Sequence, residues 1–224
     1  MNRTLLLLLV AVGAVVAAAY WSADASGSQD AAVDAPDDGS ASWTDAISGA
    51  TAAVNPFAMM NLNSATQDAA DANVQAWLAT LRHTEGTDRQ PDPYAVVYGY
   101  AFTITDFSDH PAKLGWKGGA ITRGAYAGQV STAAGAYQFN RATWSDAVKA
   151  LGLSDFSPAS QDAAAVWLTD KCGALDAVKA GDMATACAAA SSRWASLPGS
   201  TAGQGGQSLA AVEDTFTNAG GTLA

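Results

Sequence analysis

Glu85 is the residue whose type and surroundings could most easily do proton chemistry. It closes the segment "DANVQAWLATLRHTEG", in which Val74, Trp77, Leu78 and Leu81 recur at helical spacing. Asp71 reads as the N-cap of that helix and Gly86 as its stop, so Glu85 sits in the last turn, where the helix opens into a loop. Trp77 and Leu81 lie eight and four residues upstream and therefore share its face. An apolar wall raises a carboxyl's pKa, and a carboxyl that keeps its proton near neutral pH is what the general acid of a glycosidase requires. Taken by itself, the same position also suits a solvated surface glutamate.

Other chemistries are poorly supplied. His83 and His110 are the only histidines, and neither stands at ligand spacing from a cysteine or from another histidine. No metal or other cofactor is expected. Cys172 and Cys187 are the only cysteines. They are a disulfide candidate, closing a loop of about 15 residues for roughly 3 kcal/mol, or else two free buried thiols.

The elements that must position Glu85 follow from pattern and punctuation. "YAVVYGYAFTI" (94–104) has aromatic and β-branched residues broken by Gly99, which suggests a short hairpin. The Gly-punctuated stretch 121–139 could supply another strand. Helices are expected near Asn140–Leu151, Ser157–Cys172, Ala174–Lys179 and Asp182–Trp194, and from Ser208 to Gly220-Gly221. Ser157-Pro158 is an N-cap followed by proline at the first helical position. The fold class is α+β, mainly helical, in one domain over 71–224.

Two segments precede that domain. Residues 4–21, "TLLLLLVAVGAVVAAAYW", form an uncharged run behind Arg3. The run reads as a signal anchor, or as a signal peptide cut after a small-residue site such as Ala17-Ala18-Ala19 or Ala23-Asp24-Ala25. Either reading places the rest of the chain outside the inner membrane, with Arg3 inside. Residues 22–70 are rich in Ala, Ser, Asp and Gly and read as a flexible tether, although Asn55–Met60 is apolar enough to dock on the domain.

The formal net charge of −10 is unevenly spread. Residues 1–70 carry one Arg and seven Asp, whereas 71–200 carry ten Lys/Arg and twelve Asp/Glu, so the domain is nearly neutral. It lacks the basic stripe that nucleic-acid binding needs.

Six segments carry a resemblance: "LRHTEGTD" (Leu81–Asp88), "FSDHPAKL" (Phe107–Leu114), "STAAGAYQF" (Ser131–Phe139), "LGLSDFSPASQD" (Leu151–Asp162), "RWASLPG" (Arg193–Gly199) and "AGGT" (Ala219–Thr222). In order and spacing they resemble the phage lambda endolysin family of lytic transglycosylases, over about residues 74–224. The resemblance implies a lysozyme-like fold with a small β-region beside the cleft. It implies an exported enzyme that acts as a monomer on peptidoglycan glycan strands, with the inner membrane as a second partner if residues 4–21 stay uncleaved. The glutamate of the "EGT" motif falls on Glu85. The Gly-x-Tyr-Gln motif falls on Gly135–Gln138 and offers Tyr137 and Gln138 as glycan contacts. Asp109 and His110 in "SDHP" either hold their turn together or touch glycan, and Gln204 belongs to a Gly-Gln pair of the family. The chain departs from the family at Ala136, where a basic residue is common, and at Ala202, where the phage protein has an aromatic.

The resemblance also bears on mechanism. Hydrolytic phage lysozymes carry an Asp eight or nine residues beyond the catalytic Glu, places held here by Pro93 and Tyr94. A lytic transglycosylase needs no such second carboxylate, because one glutamate serves as acid and then as base. The alternatives are a hydrolytic muramidase and a non-catalytic peptidoglycan-binding protein. The biological setting stays open between phage lysis and wall remodelling by a bacterial or plasmid-encoded enzyme.

Overall fold

The computed structural model describes residues 56–122, 127–199 and 206–224. The leader at 4–21, the tether up to residue 55 and Gln204 lie outside the described residues.

Two helices flank the start of the domain. Helix α1 spans Pro56–Asp68 and α2 spans Ala72–Thr84. The Asp71 carboxylate caps α2 by accepting the Asn73 and Val74 amides at 2.8 and 3.2 Å. The apolar face of α2 is buried as its spacing requires, and Trp77 donates its indole N–H to Thr169 at 3.1 Å. Helix α1 corrects the expected tether boundary at residue 70. Its composition is too polar to build a core of its own, but Ala58, Leu62 and Ala65 form a narrow stripe at helical spacing. That stripe packs on the later helices, burying Ala58 and Ala65. Asn61 donates to the Ala150 carbonyl at 3.0 Å, and Asp68 pairs with Lys179 at 2.5 Å.

Five more helices complete the helical part among the described residues: α3 (Arg141–Leu151), α4 (Pro158–Lys171), α5 (Leu175–Ala180), α6 (Met183–Ala190) and α7 (Leu209–Asn218). Asn140, Ser157, Asp182 and Ser208 cap α3, α4, α6 and α7, each accepting an amide N–H. Helix α6 stops four residues short of the expected Trp194, because Trp194 turns into the core and is fully buried. Helix α7 packs on α2 and α6 with Val212 and Phe216 buried. The C-terminal Thr222 then bonds through its backbone to both ends of the Asn73 amide.

The β-region is small. Strands β1 (Gly119–Ala120) and β2 (Val130–Ser131) pair antiparallel, Gly119 opposite Ser131. The expected hairpin over 94–104 is reduced to an antiparallel bridge between Val96 and Thr103 around a turn at Tyr98–Tyr100. The stretch 95–98 also pairs across to 133–135, which joins the β-region to the segment before α3. The core lies between these layers, with Trp77, Phe139, Trp144, Phe156 and Trp194 buried.

Candidate active site

Helix α2 ends at Glu85. Gly86 follows with φ +74, a left-handed conformation that stops the helix and turns the chain into a tight turn at Thr87–Arg89. Thr87 secures this turn by donating to the Ala136 carbonyl at 2.7 Å. Glu85 is thereby held inside the molecule, 1% exposed. Its Oε1 accepts a hydrogen bond from Ser196 Oγ at 2.8 Å, and its Oε2 is buried without a partner among the described residues. Burial raises the carboxyl's pKa from its usual 4.5 to about 8, partly offset by the Ser196 bond, which favours the charged form. Glu85 is therefore a carboxylic acid at neutral pH, with one of its two oxygens held by a hydroxyl.

Ser196 comes from the turn after α6. Buried Trp194 and Leu197 flank it, and the Ser196 carbonyl accepts the Gln207 amide at 3.0 Å. Within "RWASLPG" nothing in the residue types assigns this serine a role. A hydroxyl in a short loop carries no chemical cue until the fold brings it to Glu85, 111 residues away.

The other expected site residues have different places. Tyr137 is fully buried, and its hydroxyl donates to Asp162 at 2.5 Å while accepting from Arg82 at 2.6 Å. Tyr94 donates to the same carboxylate at 3.0 Å. These groups clamp α2 to α4 one helical turn before Glu85, and the Tyr137 hydroxyl is engaged inside the fold. Gln138 is 2% exposed at φ +51, with its amide nitrogen donating to the Gly135 carbonyl at 3.0 Å, and it too braces the loop.

Asp109 and His110 hold their turn together through bonds of their own. The Asp109 carboxylate accepts the His110 amide at 2.7 Å and the Trp144 indole N–H at 3.1 Å, and it pairs with Lys113 at 3.0 Å. His110 is buried edge-on to Phe156, and its Nδ1 accepts the Ala112 amide at 3.1 Å. The proton therefore sits on Nε2, which donates to the Phe139 carbonyl at 2.9 Å. Burial lowers its pKa to about 4, so it is neutral in the working range. Cys172 and Cys187 are free thiols, which corrects the disulfide candidate. The Cys172 thiol turns to the Thr169 carbonyl at 3.2 Å, whereas Cys187 is buried in the core from α6.

Gln161 was also missed by the sequence reading. Fully buried, it accepts the Ala136 amide through Oε1 at 2.8 Å and donates to the Phe156 and Tyr94 carbonyls at 2.8 and 3.2 Å. A Cβ on Gly135, whose φ is +78, would lie 2.3 Å from that Oε1, so only glycine lets the two approach.

The geometry of a buried acid on a helix end can be set against known proteins. The profile of the family described as Endolysin matches residues 75–223. The chain belongs to the endolysin family. It is 38% identical over 160 residues to the endolysin of Escherichia phage P2, covering 68% of this chain and 95% of that protein. It is also 38% identical over 154 residues to the endolysin of Escherichia phage lambda, covering 66% and 92%. The solved structure of bacteriophage lambda lysozyme complexed with a chitohexasaccharide superposes with a TM-score of 0.61 at 36% identity, over 68% of this chain and 97% of that one. A second structure of lambda lysozyme gives 0.60 at 35% identity. The fold is thus that of lambda lysozyme, and the endolysin-family domain is a lysozyme-like, peptidoglycan-cleaving enzyme. Helix α1 lies before the matched residues, so the family match does not extend to it.

Proposed function

We propose that the chain is an exported lytic transglycosylase that cleaves the β-1,4 bond between N-acetylmuramic acid and N-acetylglucosamine, with Glu85 as its acid and base. The observation that carries this reading is Glu85 itself, buried at a helix end with Oε1 held by the Ser196 hydroxyl and with no carboxylate hydrogen-bonded to it among the described residues. The two acidic residues that follow it in sequence are engaged elsewhere. Asp88 pairs with His83 at 2.7 Å, and Asp92 caps the turn at Pro93–Ala95. A two-carboxylate glycosidase requires its pair about 5–9.5 Å apart across the scissile bond. The chitohexasaccharide carried by the lambda lysozyme structure supports a glycan of amino sugars as substrate.

Protonated Glu85 gives its proton from Oε2 to the glycosidic oxygen as the C1–O bond breaks, and the N-acetylglucosamine side leaves with a free hydroxyl. The carboxylate then accepts the proton of the muramyl 6-hydroxyl as that oxygen bonds to C1. The product carries a 1,6-anhydro ring, Glu85 regains its proton, and no water is consumed. Residues 4–21 would carry the domain across the inner membrane, as an anchor or as a cleaved peptide, and place it on the periplasmic side. Among the described residues no helix is long and apolar enough to cross a membrane.

Mass spectrometry of muropeptides released from purified sacculi tests the reaction. Anhydromuramyl ends that disappear in Glu85→Gln are the expected result. Reducing ends would make the enzyme a hydrolase, and no release at all would leave a glycan-binding protein. Cell fractionation tests the leader, since a permanent anchor leaves no soluble periplasmic enzyme.

A further inference from the structure

The turn at Tyr98–Tyr100 holds two consecutive residues in the left-handed region, Gly99 at φ +70 and Tyr100 at φ +57. Glycine adopts that conformation freely; a bulky tyrosine does so only where its surroundings enforce it, and such residues gather at functional sites. The enforcement is visible. Tyr100 N–H donates to the Val97 carbonyl at 2.9 Å, and the Val96–Thr103 bridge and the Ile104 amide on the Ala95 carbonyl at 2.8 Å close the loop on either side.

This backbone aims the side chain at the catalytic turn. The Tyr100 hydroxyl oxygen lies 3.7 Å from the position a Cβ would take on Gly86, the residue next to Glu85. The Arg89 guanidinium reaches the same point at 4.0 Å. The two tyrosines of the α2–α4 clamp spend their hydroxyls on Asp162. The Tyr100 hydroxyl, in contrast, makes no hydrogen bond to a described residue. Burial holds it protonated, with its pKa raised further by the acidic Glu85 and Asp88 against the opposing pull of Arg89. It is a neutral donor beside the residue that follows the acid, with no group to receive it among the described residues.

We propose that Tyr100 is a substrate-binding residue, donating a hydrogen bond to the sugar next to the scissile bond and so setting the glycosidic oxygen on Glu85 Oε2. This rests on the glycan-cleaving reaction proposed above. The backbone strain is the cost of that placement, since a glycine at position 100 would relieve it and lose the contact.

The test compares Tyr100→Phe and Tyr100→Gly with the parent enzyme on one preparation of solubilised peptidoglycan strands. Loss of the hydroxyl lowers kcat/KM by about three- to tenfold, carried by KM, the size of one lost hydrogen bond. Tyr100→Gly lowers it further while its Tm equals or exceeds that of the parent. The alkaline limb of the pH profile, set by Glu85, stays in place for both. Parental kcat/KM in both variants, or activity losses that track a fall in Tm, would overturn the proposal. Binding of an N-acetylglucosamine hexamer to Glu85→Gln and to Glu85→Gln/Tyr100→Phe gives a readout without turnover, with the double variant expected to bind about threefold or more weakly. Equal binding also sinks the role of Tyr100. A parent enzyme that binds the hexamer through Tyr100 but releases no fragments would instead refute the reaction and keep the contact.

Discussion

At the scale of the residue, the function turns on the price of ionising one buried carboxyl. Glu85 has a folded-state pKa of about 8 against an ordinary 4.5, so between those values the folded protein binds a proton that the unfolded chain has released. Stability therefore falls as pH rises through that window, by up to a few kcal/mol. Glu85→Gln removes the ionisation. Its unfolding free energy should match that of the parent near pH 4 and exceed it at pH 8 and above, as denaturant melts at both pH values would measure, while glycan cleavage is abolished. Activity of the parent should decline as pH rises through about 8, where the acid loses its proton. Ser196 stabilises the charged form through Oε1. Ser196→Ala should thus move the alkaline limb to higher pH and, with one oxygen no longer held, lower kcat about three- to thirtyfold. A limb that shifts downward would contradict this account.

At the scale of the element, the site depends on how α2 is fastened. Its C-terminal end is held by the Arg82–Tyr137–Asp162 clamp and by the Thr87 bond to Ala136, both next to Glu85. Tyr137→Phe removes the nearer of the two tyrosine hydroxyls that Arg82 and Asp162 share and should cost about 1–3 kcal/mol in denaturant melts. The "SDHP" turn behaves differently, because its bonds run to Trp144 and Phe139, both in the core. His110→Ala should lower stability by about 1–3 kcal/mol with KM for glycan unchanged. A raised KM with a parental melt would return His110 to the glycan. How far these elements were legible follows from their physics. Caps and apolar periodicity are local, so Asp71, Asn140, Ser157 and Ser208 marked helix starts correctly. The β-region was harder to read, because its pairings join residues such as Val97 and Ala134 that are distant in sequence and occupy one or two positions each.

At the scale of the whole molecule, packing decides what the composition leaves open. Two cysteines 15 positions apart permit a bridge on loop length alone, yet each thiol is directed by its own helix to a separate environment. Burial pushes the Cys187 thiol to about 12, so it should resist maleimide in the native enzyme and react only on unfolding. Two thiols titratable in denaturant without reductant is the expected count; none would restore the disulfide. The acidity of the chain sits mainly before the domain, and α1 is where that polar stretch meets the fold. Ala65 is buried on the inner face of α1, and Ala65→Asp should detach this helix, lowering Tm while leaving glycan cleavage near the parental rate, since α1 contributes nothing to the Glu85 surroundings described.

The sequence by itself determined the family, most of the helix starts and the candidate for the catalytic acid. Those features are written in contiguous segments: short motifs kept in order, capping residues beside apolar repeats, and a glutamate one residue before a helix-stopping glycine. Only the tertiary structure decided which polar side chains face the acid and which face the core. Ser196 and Tyr100 reach the turn at Glu85–Gly86 from distant positions, whereas Tyr137, Gln138 and His110 are buried and Asp109 stays partly exposed beside Lys113. A motif preserves a residue's identity whether the residue serves chemistry or packing. Which of the two it serves is set by the partners that satisfy its polar atoms, and those partners come together only when the chain folds.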